Sequence, residues 1–209
     1  MTTIGLIGSG NIGSAIARQA VGQGHDVVLS NSRGPETLAD LVAELGPRAR
    51  AATAEEAAEA GEVVVVTIPF HAVDQVPVEP LAGKVVVDTN NYYFERDGHD
   101  EAIDRGEDSP SERLAAHLPR SSVVKAFNAI QAHHIVEAAR PAGDPDRRAI
   151  PIAGDDAEAK QVVATLVDAL GFDAVDAGPL VEGRRFDRDK PAYGAEAGAA
   201  ATRDLLAQG

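Results

Sequence analysis

Glycines near the start of the chain have the spacing that a phosphate-binding turn requires. Gly8, Gly10 and Gly13 stand as G-x-G-x-x-G, directly after the apolar run of residues 4–7 and before apolar residues at helical intervals. The first glycine permits a tight strand-to-helix turn, the second lets a diphosphate approach the backbone, and the third allows close helix packing. The phosphates would bind the free N–H groups at the helix N-terminus. The stretch predicts a dinucleotide-binding turn, and the alternative is an ordinary glycine-rich turn before a helix.

The end of the second predicted strand indicates which dinucleotide is bound. Residues 27–29 run into Ser30, Asn31, Ser32 and Arg33. In NAD-specific folds an acidic residue near this point accepts hydrogen bonds from the ribose 2′-hydroxyl. Here no carboxylate would repel a 2′-phosphate, and the arginine offers a planar fork of donors to bind one. The segment predicts NADP(H), the alternative being a polar loop whose arginine is only solvated.

Three further strand ends supply candidates for holding the reacting rings. Pro69 and Phe70 follow the most apolar predicted strand, residues 63–68, while Asn90 and Asn128 lie at the ends of the next two. Open α/β sheets bind their ligands at this carboxyl edge. Pro69 and Phe70 would wall one side of the nicotinamide, although Phe70 could equally be core. The two asparagines would hydrogen-bond the carboxamide or a second ring, and each could equally be a turn or capping residue.

Apolar runs alternate with helical stretches along most of the chain. This alternation predicts an α/β fold, a Rossmann-type doubly wound and mostly parallel sheet with a small C-terminal α/β extension. We place the NADP-binding domain in residues 1–128 and a dependent C-terminal part, which completes the cleft, in residues 129–209. Thr53 and Ser109, each followed three residues later by glutamate, predict helix N-termini. The predicted strands are residues 4–7, 27–29, 48–52, 63–68, 84–88, 122–128, 149–154 and 172–177.

Composition excludes several classes of function. Of the 209 residues, 44% are hydrophobic and 25% are charged, as in ordinary soluble proteins. A formal net charge of -14 argues against binding to nucleic acid or to anionic membranes. The absence of cysteine excludes disulfides and thiolate chemistry. No apolar run suits a membrane span or a signal peptide, so we expect a cytoplasmic protein.

Two segments outside the predicted strands bear on the cleft and on assembly. Residues 95–112 are too highly charged for the core, and they predict a solvated excursion that could cover the site as a lid. From Tyr193 onward the tail is rich in alanine and glycine, and it predicts a helix whose small side chains allow close approach of a second copy. The tail is therefore a candidate self-association surface.

Motifs in both halves of the chain together resemble one family. Beside the glycines these are Ser32-Arg33, Ala126-Phe127-Asn128, Gly154-Asp155-Asp156 and the run of residues 176–180. The chain resembles the NADP oxidoreductases that use the 8-hydroxy-5-deazaflavin coenzyme F420. The resemblance implies an N-terminal Rossmann domain for NADP, a small C-terminal part that completes a deazaflavin cleft, and a homodimer.

The resemblance also implies contacts for particular residues. Family contacts to the phosphates carry over onto Ser9, Gly10, Asn11 and Ile12, those to the 2′-phosphate onto Ser32 and Arg33, and those near the nicotinamide onto Pro69 and Ala126. The candidate cofactor-binding residues are Gly8, Ser9, Gly10, Asn11, Ile12, Gly13, Asn31, Ser32, Arg33, Ile68, Pro69, Phe70, Asn90, Ala126 and Asn128.

Because the two cofactors carry the hydride transfer themselves, this reaction requires no residue as a catalytic acid or base. Residues 183–193 do not match the pattern of that family, and this difference leaves two other functions open. The first is an NADPH-dependent reductase of an imine, a ketone or a free flavin. For C=N or C=O reduction it would need a proton donor, for which Tyr92, Tyr93, His71 and His133 are candidates. The second is a non-catalytic NADPH-binding sensor. A metal role is not expected, because adjacent histidines on a helix point in different directions.

Overall fold

The computed structural model describes residues 1–209 and is built on one eight-stranded sheet. Its strands are β1 Thr3–Ile7, β2 Asp26–Ser30, β3 Ala49–Ala51, β4 Val63–Val66, β5 Val85–Asp88, β6 Ser122–Lys125, β7 Ala149–Gly154 and β8 Asp173–Asp176. They lie in the order β3-β2-β1-β4-β5-β6-β7-β8. Every neighbouring pair is parallel except β6 and β7. The predicted Rossmann-type, mostly parallel sheet is confirmed, and β7 and β8 extend it at its C-terminal end.

Helices cover both faces of this sheet. They are α1 Asn11–Gly22, α2 Ala39–Leu45, α3 Ala54–Ala60, α4 Phe94–Asp97, α5 Glu101–Asp104, α6 Pro110–His117, α7 Ala132–Glu137, α8 Ala157–Ala169 and α9 Ala199–Leu206. Short 3-10 turns cover Pro35–Leu38, Phe70–Gln75, Glu79–Leu81 and Leu180–Phe186. None of the helices combines the length and the apolar character that crossing a membrane requires.

The central strand β4 shows why the sheet needs helices on both sides. Its four valines are all buried, and successive side chains point to opposite faces. Val63 and Val65 join the core beneath α1 and α8, whereas Val64 and Val66 join the core beneath α6. A strand that is apolar at every position is therefore matched by two apolar layers.

The order of the strands reverses beside β1, which lies between β2 and β4. Ile7, the last residue of β1, is level with Ser30 of β2 and with Val66 of β4. The loops that follow these three strands therefore meet at one edge of the sheet. Such a switch point is where open α/β sheets form their ligand crevice.

Both predicted helix N-termini are present. The side chain of Thr53 accepts the N–H of Glu56, and the carboxylate of Glu56 accepts the N–H of Thr53 at 2.9 Å. Ser109 accepts the N–H of Glu112, with Pro110 in the first turn of α6. Each cap stabilises the fold by about 1 kcal/mol. The caps fix where α3 and α6 begin and hence how the loops before them leave the sheet.

The tail is helical over a shorter range than the sequence predicts. Helix α9 begins only at Ala199, and residues 193–198 are irregular. Gly194 has a φ of +70°, outside the helical region, and Gly198 is the extended residue that precedes the helix. Glycine has a low helix propensity, so the two glycines outweigh the alanines between them. The prediction of a helix from Tyr193 was wrong by about a turn and a half.

The charged excursion predicted over residues 95–112 lies at the surface, with half of its residues exposed, and arginines tie it to the C-terminal part. Arg188 pairs with Glu95 at 2.7 Å, near the start of the segment. Arg184 pairs with Glu112 at 2.6 Å, at its end. The segment therefore lies against residues 184–188 as a strap that is fastened at both ends.

Candidate active site

A cleft of about 450 Å³ lies at the carboxyl ends of β1, β2 and β4. The predicted residues that line it are Gly8, Ser9, Gly10, Asn31, Ser32, Arg33, Ile68 and Pro69. The turn after β4 adds His71 and Gln75, of which only His71 was considered from the sequence, as a proton donor. The structure thus brings together, in one crevice, the glycine turn and the segment after β2.

Two of the three glycines are required by the fold itself. Gly8 has a φ of +102°, and a Cβ there would lie 2.2 Å from the carbonyl oxygen of Thr67. A Cβ on Gly13 would lie 2.3 Å from the carbonyl oxygen of Gly8. These positions let the β1 loop, the β4 loop and α1 approach one another closely, as the sequence predicts.

Gly10 has a different role, because the fold leaves room for a side chain there. Its φ is -75°, which any residue adopts, and a Cβ would meet no atom within 4 Å. The next amides, those of Asn11, Ile12 and Gly13, have no acceptor within the protein. No side chain caps α1, and its first turn carries no acidic residue. Open space beside unpaired amides fits the phosphates of a dinucleotide, and Asn11, Ile12 and Gly13 would act through their backbone.

The segment after β2 is held so that Arg33 is free. The hydroxyl of Ser30 donates to the carbonyl oxygen of Leu6, and Ser9 donates to the carbonyl oxygen of Ser30. The side chain of Asn31 accepts the N–H of Arg33 at 2.9 Å, so it holds the loop. The guanidinium of Arg33 is exposed and pairs with no carboxylate. This geometry fits a 2′-phosphate.

Buried amides lie at the carboxyl ends of the neighbouring strands. Asn90 is 2% exposed, and neither its Oδ1 nor its Nδ2 has a hydrogen-bond partner. Asn128 donates to the carbonyl oxygen of Phe186 at 2.9 Å, yet its Oδ1 is also unpaired and buried. Buried polar groups without partners are rare in proteins and call for a ligand or an ordered water. Both predicted ring-positioning residues thus have unpaired amide atoms, although neither residue lines the cleft.

The remaining predicted residues lie partly inside and partly outside the cleft. Ile68 and Pro69 line the cleft, whereas Phe70 turns toward Tyr92, with the two ring centroids 5.7 Å apart. Ala126 is fully buried beneath the strand ends. Phe127 has a φ of +59°, which is uncommon for a residue other than glycine. This strained backbone turns the chain between Ala126 and Asn128.

Sequence reasoning missed the carboxylate that holds His71. The ring Nδ1 lies 2.8 Å from Oδ1 of Asp97, whose side chain is completely buried although it follows 26 residues later. Burial raises the pKa of Asp97, but hydrogen bonds from Arg96, the N–H of Tyr93 and His71 outweigh it and lower this pKa to about 2. The carboxylate is therefore ionised throughout the neutral range.

Asp97→Asn is expected to lower the free energy of unfolding by up to about 2 kcal/mol at pH 7, since one pKa unit corresponds to about 1.4 kcal/mol. Because the pKa of Asp97 is depressed in the folded state, this stabilisation is present above about pH 4 and is lost as the pH falls toward about pH 2. Urea unfolding at pH 7 and pH 3 measures it, and a difference between variant and wild type that grows at pH 3 contradicts the assignment. Glu101→Gln is the control on the same segment, because that side chain is 88% exposed.

A second missed feature is a buried charge next to the site. Lys125 ends β6, is 0% exposed and pairs with Asp187. It is level with Asp88 of β5, which is also fully buried and accepts hydrogen bonds from Ser111 and from the N–H of Asn90. Burial raises the pKa of Asp88, while these hydrogen bonds and Lys125 oppose the rise. A lysine within an otherwise apolar predicted strand was the signal in the sequence that could have indicated this buried charge.

Comparison with known proteins identifies the family to which this chain is similar. Residues 3–92 match the family described as NADP oxidoreductase, coenzyme F420-dependent. A hypothetical protein from Sinorhizobium meliloti has the same fold at a TM-score of 0.81 and 30% identity, with 93% of this chain and 94% of that chain covered. A candidate F420-dependent NADP-reductase from Arthrobacter sp. FB24 follows at 0.75 and 28% identity, with 88% of each chain covered. The chain belongs to this family.

Membership confirms the family predicted from the sequence, the class of NADP-dependent oxidoreductase and NADP(H) as the cofactor of that class. Metalloreductase STEAP3 of Rattus norvegicus is 35% identical over 188 residues, which are 88% of this chain and 35% of that protein. The chain spans about a third of the length of the curated relatives that it matches. The sequence similarity thus extends to longer proteins that are named metalloreductases.

Proposed function

We propose that the chain transfers a hydride between NADP(H) and a deazaflavin of the coenzyme F420 type. The observation that carries this proposal is the cleft suited to the dinucleotide, together with unpaired buried amide atoms on Asn90 and Asn128, which follow the next strands of the sheet. A family relative named for F420 and NADP matches 88% of the chain.

The residues of the chain have binding and orienting roles in this reaction. When bound, NADPH supplies a hydride, and a solvent proton completes the reduced acceptor while NADP⁺ is released. The amides after Gly10 and the guanidinium of Arg33 would fix the phosphates. Asn90 and Asn128 would hold the carboxamide or the acceptor ring, and Pro69 would close one side. Holding two rings in contact and excluding water is most of the protein's task in such a transfer.

Arg33→Ala is expected to raise the Kd for NADPH about tenfold and to change the Kd for NADH less than twofold. A charge-assisted hydrogen bond contributes about 1.5–3 kcal/mol, and only NADPH carries the 2′-phosphate. Calorimetric titration with both dinucleotides measures the change. Arg50→Ala is the control, because Arg50 is exposed on β3 and lies outside the cleft. An unchanged NADPH affinity in the Arg33 variant would show that this arginine is only solvated.

The acceptor is tested by NADPH oxidation with the deazaflavin coenzyme, with free flavin mononucleotide in parallel. Transfer to the deazaflavin alone supports the proposal. If NADPH binds and neither acceptor is reduced, the proposed acceptor is wrong. Reactions without protein give the background rate.

A second candidate is the reduction of a free flavin. A relative named a metalloreductase shares 35% identity with this chain, which favours an acceptor other than a deazaflavin, and free flavin is the simplest to test. NADPH oxidation with flavin mononucleotide alone would favour this candidate over the first.

We also propose a homodimer in the cytoplasm. Helix α9 carries Ala200 and Ala201 on the surface, where small side chains allow a second copy to approach. A mass corresponding to a monomer at micromolar protein concentration would exclude the dimer.

A further inference from the structure

His71 occupies the side of the cleft opposite Arg33. The turn that carries it follows β4, whereas Arg33 follows β2, and the glycine loop of β1 lies between those two strands. The ring lines the same cleft as Gly10 and Arg33, with its side chain 51% exposed. Its Nε2 has no partner in the protein. The half-exposed imidazole thus has one unpaired nitrogen in a cleft that also contains backbone amides and a guanidinium.

The other nitrogen is fixed by Asp97. An ionised carboxylate only accepts hydrogen bonds, so Nδ1 of His71 must carry the hydrogen that it donates across 2.8 Å. The backbone N–H of His71 is directed at the same oxygen, at 3.4 Å. Asp97 in turn accepts two hydrogen bonds from Arg96, with Nη2 at 2.7 Å, and one from the N–H of Tyr93. The carboxylate is thereby fixed, and it orients the imidazole.

We propose that His71, oriented by Asp97, is a further phosphate-binding residue of the dinucleotide cleft. The inference rests on the proposed binding of NADP(H). Protonated imidazole donates from both nitrogens, so Nε2 would donate to a phosphate oxygen while Nδ1 remains on Asp97. The phosphate is either the diphosphate beside Gly10 or the 2′-phosphate beside Arg33. Asp97 is a positioning residue, because it acts only through the ring.

Binding titrations of the full chain with NADPH and NADH test the contact. His71→Leu removes both nitrogens and is expected to raise the Kd for NADPH about fivefold to tenfold. An equal loss for NADH assigns the contact to the diphosphate, and a loss confined to NADPH assigns it to the 2′-phosphate. No loss with either dinucleotide overturns the proposal. His71→Lys should bind NADPH more tightly than His71→Leu, and equal weakness would rule out a charge contact.

His99 provides the matched control. Its Nδ1 also lies 2.8 Å from a carboxylate, that of Asp104, but the ring lies outside the cleft. His99→Leu should leave both affinities unchanged. A loss as large as that of His71→Leu would mean that the strap, rather than the cleft, responds to removal of such a pair.

The role of Asp97 is tested by combining variants. Asp97→Asn alone should weaken NADPH binding about threefold, and it should have no further effect in the His71→Leu background. A full additional loss in that background would show that Asp97 acts independently of the ring. Wild-type protein that binds neither dinucleotide would refute the proposed function itself, whereas wild-type binding with an unaffected His71→Leu refutes only this inference.

Discussion

Lys125→Met is expected to lower the free energy of unfolding by about 3–5 kcal/mol, the usual cost of removing one partner from a buried ion pair. Methionine has a similar length and fills the same space, so the loss reflects charge rather than volume. The ammonium of Lys125 pairs with Asp187 and lies 5.3 Å from the ring centroid of Phe186. Without it, Asp88 remains as a carboxyl with no cation beside it in the core.

The backbone around Lys125 shows how closely the fold has adapted to it. A Cβ on Gly183 would lie 2.8 Å from Cδ of Lys125, so the turn that carries Asp187 lies directly over the lysine stem. That same turn supplies the carbonyl oxygen of Phe186 to Asn128. Disturbing Lys125 should therefore loosen the contact behind a candidate ring-positioning residue as well.

Urea unfolding at pH 7 measures the effect on stability. Arg105→Met is the control, because Arg105 pairs with glutamates on the surface and is 57% exposed, and it should change stability by less than about 1 kcal/mol. Asp187→Asn is a milder variant of the same pair, since that side chain is 24% exposed, and it should fold with a smaller loss. A loss below about 1 kcal/mol for Lys125→Met would contradict the assignment.

Gly10→Ala is expected to raise the Kd for NADPH by about tenfold to a hundredfold while the urea midpoint stays unchanged. The free protein has no atom within 4 Å of the added methyl and needs no unusual φ. The methyl would instead occupy the space into which the diphosphate must come to reach the amides of α1, and such overpacking costs about 1–3 kcal/mol. A loss of affinity without a loss of stability assigns the glycine to binding.

The control is Gly22→Ala at the other end of the same helix. A Cβ there also meets nothing within 4 Å, and the replacement should stabilise α1 by about 0.5–1 kcal/mol without changing NADPH affinity. Unchanged affinity in Gly10→Ala would mean that the dinucleotide does not approach this backbone. Calorimetric titration and urea unfolding of both variants give the two quantities separately.

The sequence predicted those features that depend on neighbouring residues. An apolar run such as Val63–Val66 must be buried on both faces, and Thr53 with Glu56 can cap a helix in any setting. The ends of strands can also be located from neighbouring residues. Because these parallel strands end at one edge of the sheet, Arg33 and Pro69 lie in one cleft. The assignment of the cofactor-binding residues remains a prediction, which the placement of these residues in the cleft supports.

The missed features depend on contacts between distant parts of the chain. Asp97 reaches His71 across 26 residues, and Asp187 reaches Lys125 across 62. No periodicity records such pairs, because Asp97 and Asp187 alone resemble ordinary polar residues, and only Lys125, within an apolar strand, carries a signal. The prediction of a longer tail helix failed for a local reason instead. The low helix propensity of Gly194 and Gly198 was given too little weight against the neighbouring alanines.

The two outer strands restrict how copies of this chain can assemble. β3 is only three residues long and carries the exposed Arg50, while β8 both begins and ends with an aspartate. Short and charged borders resist the addition of further strands. A symmetric pair is therefore expected to meet through helices, and a continuous sheet running across two molecules is disfavoured at either border.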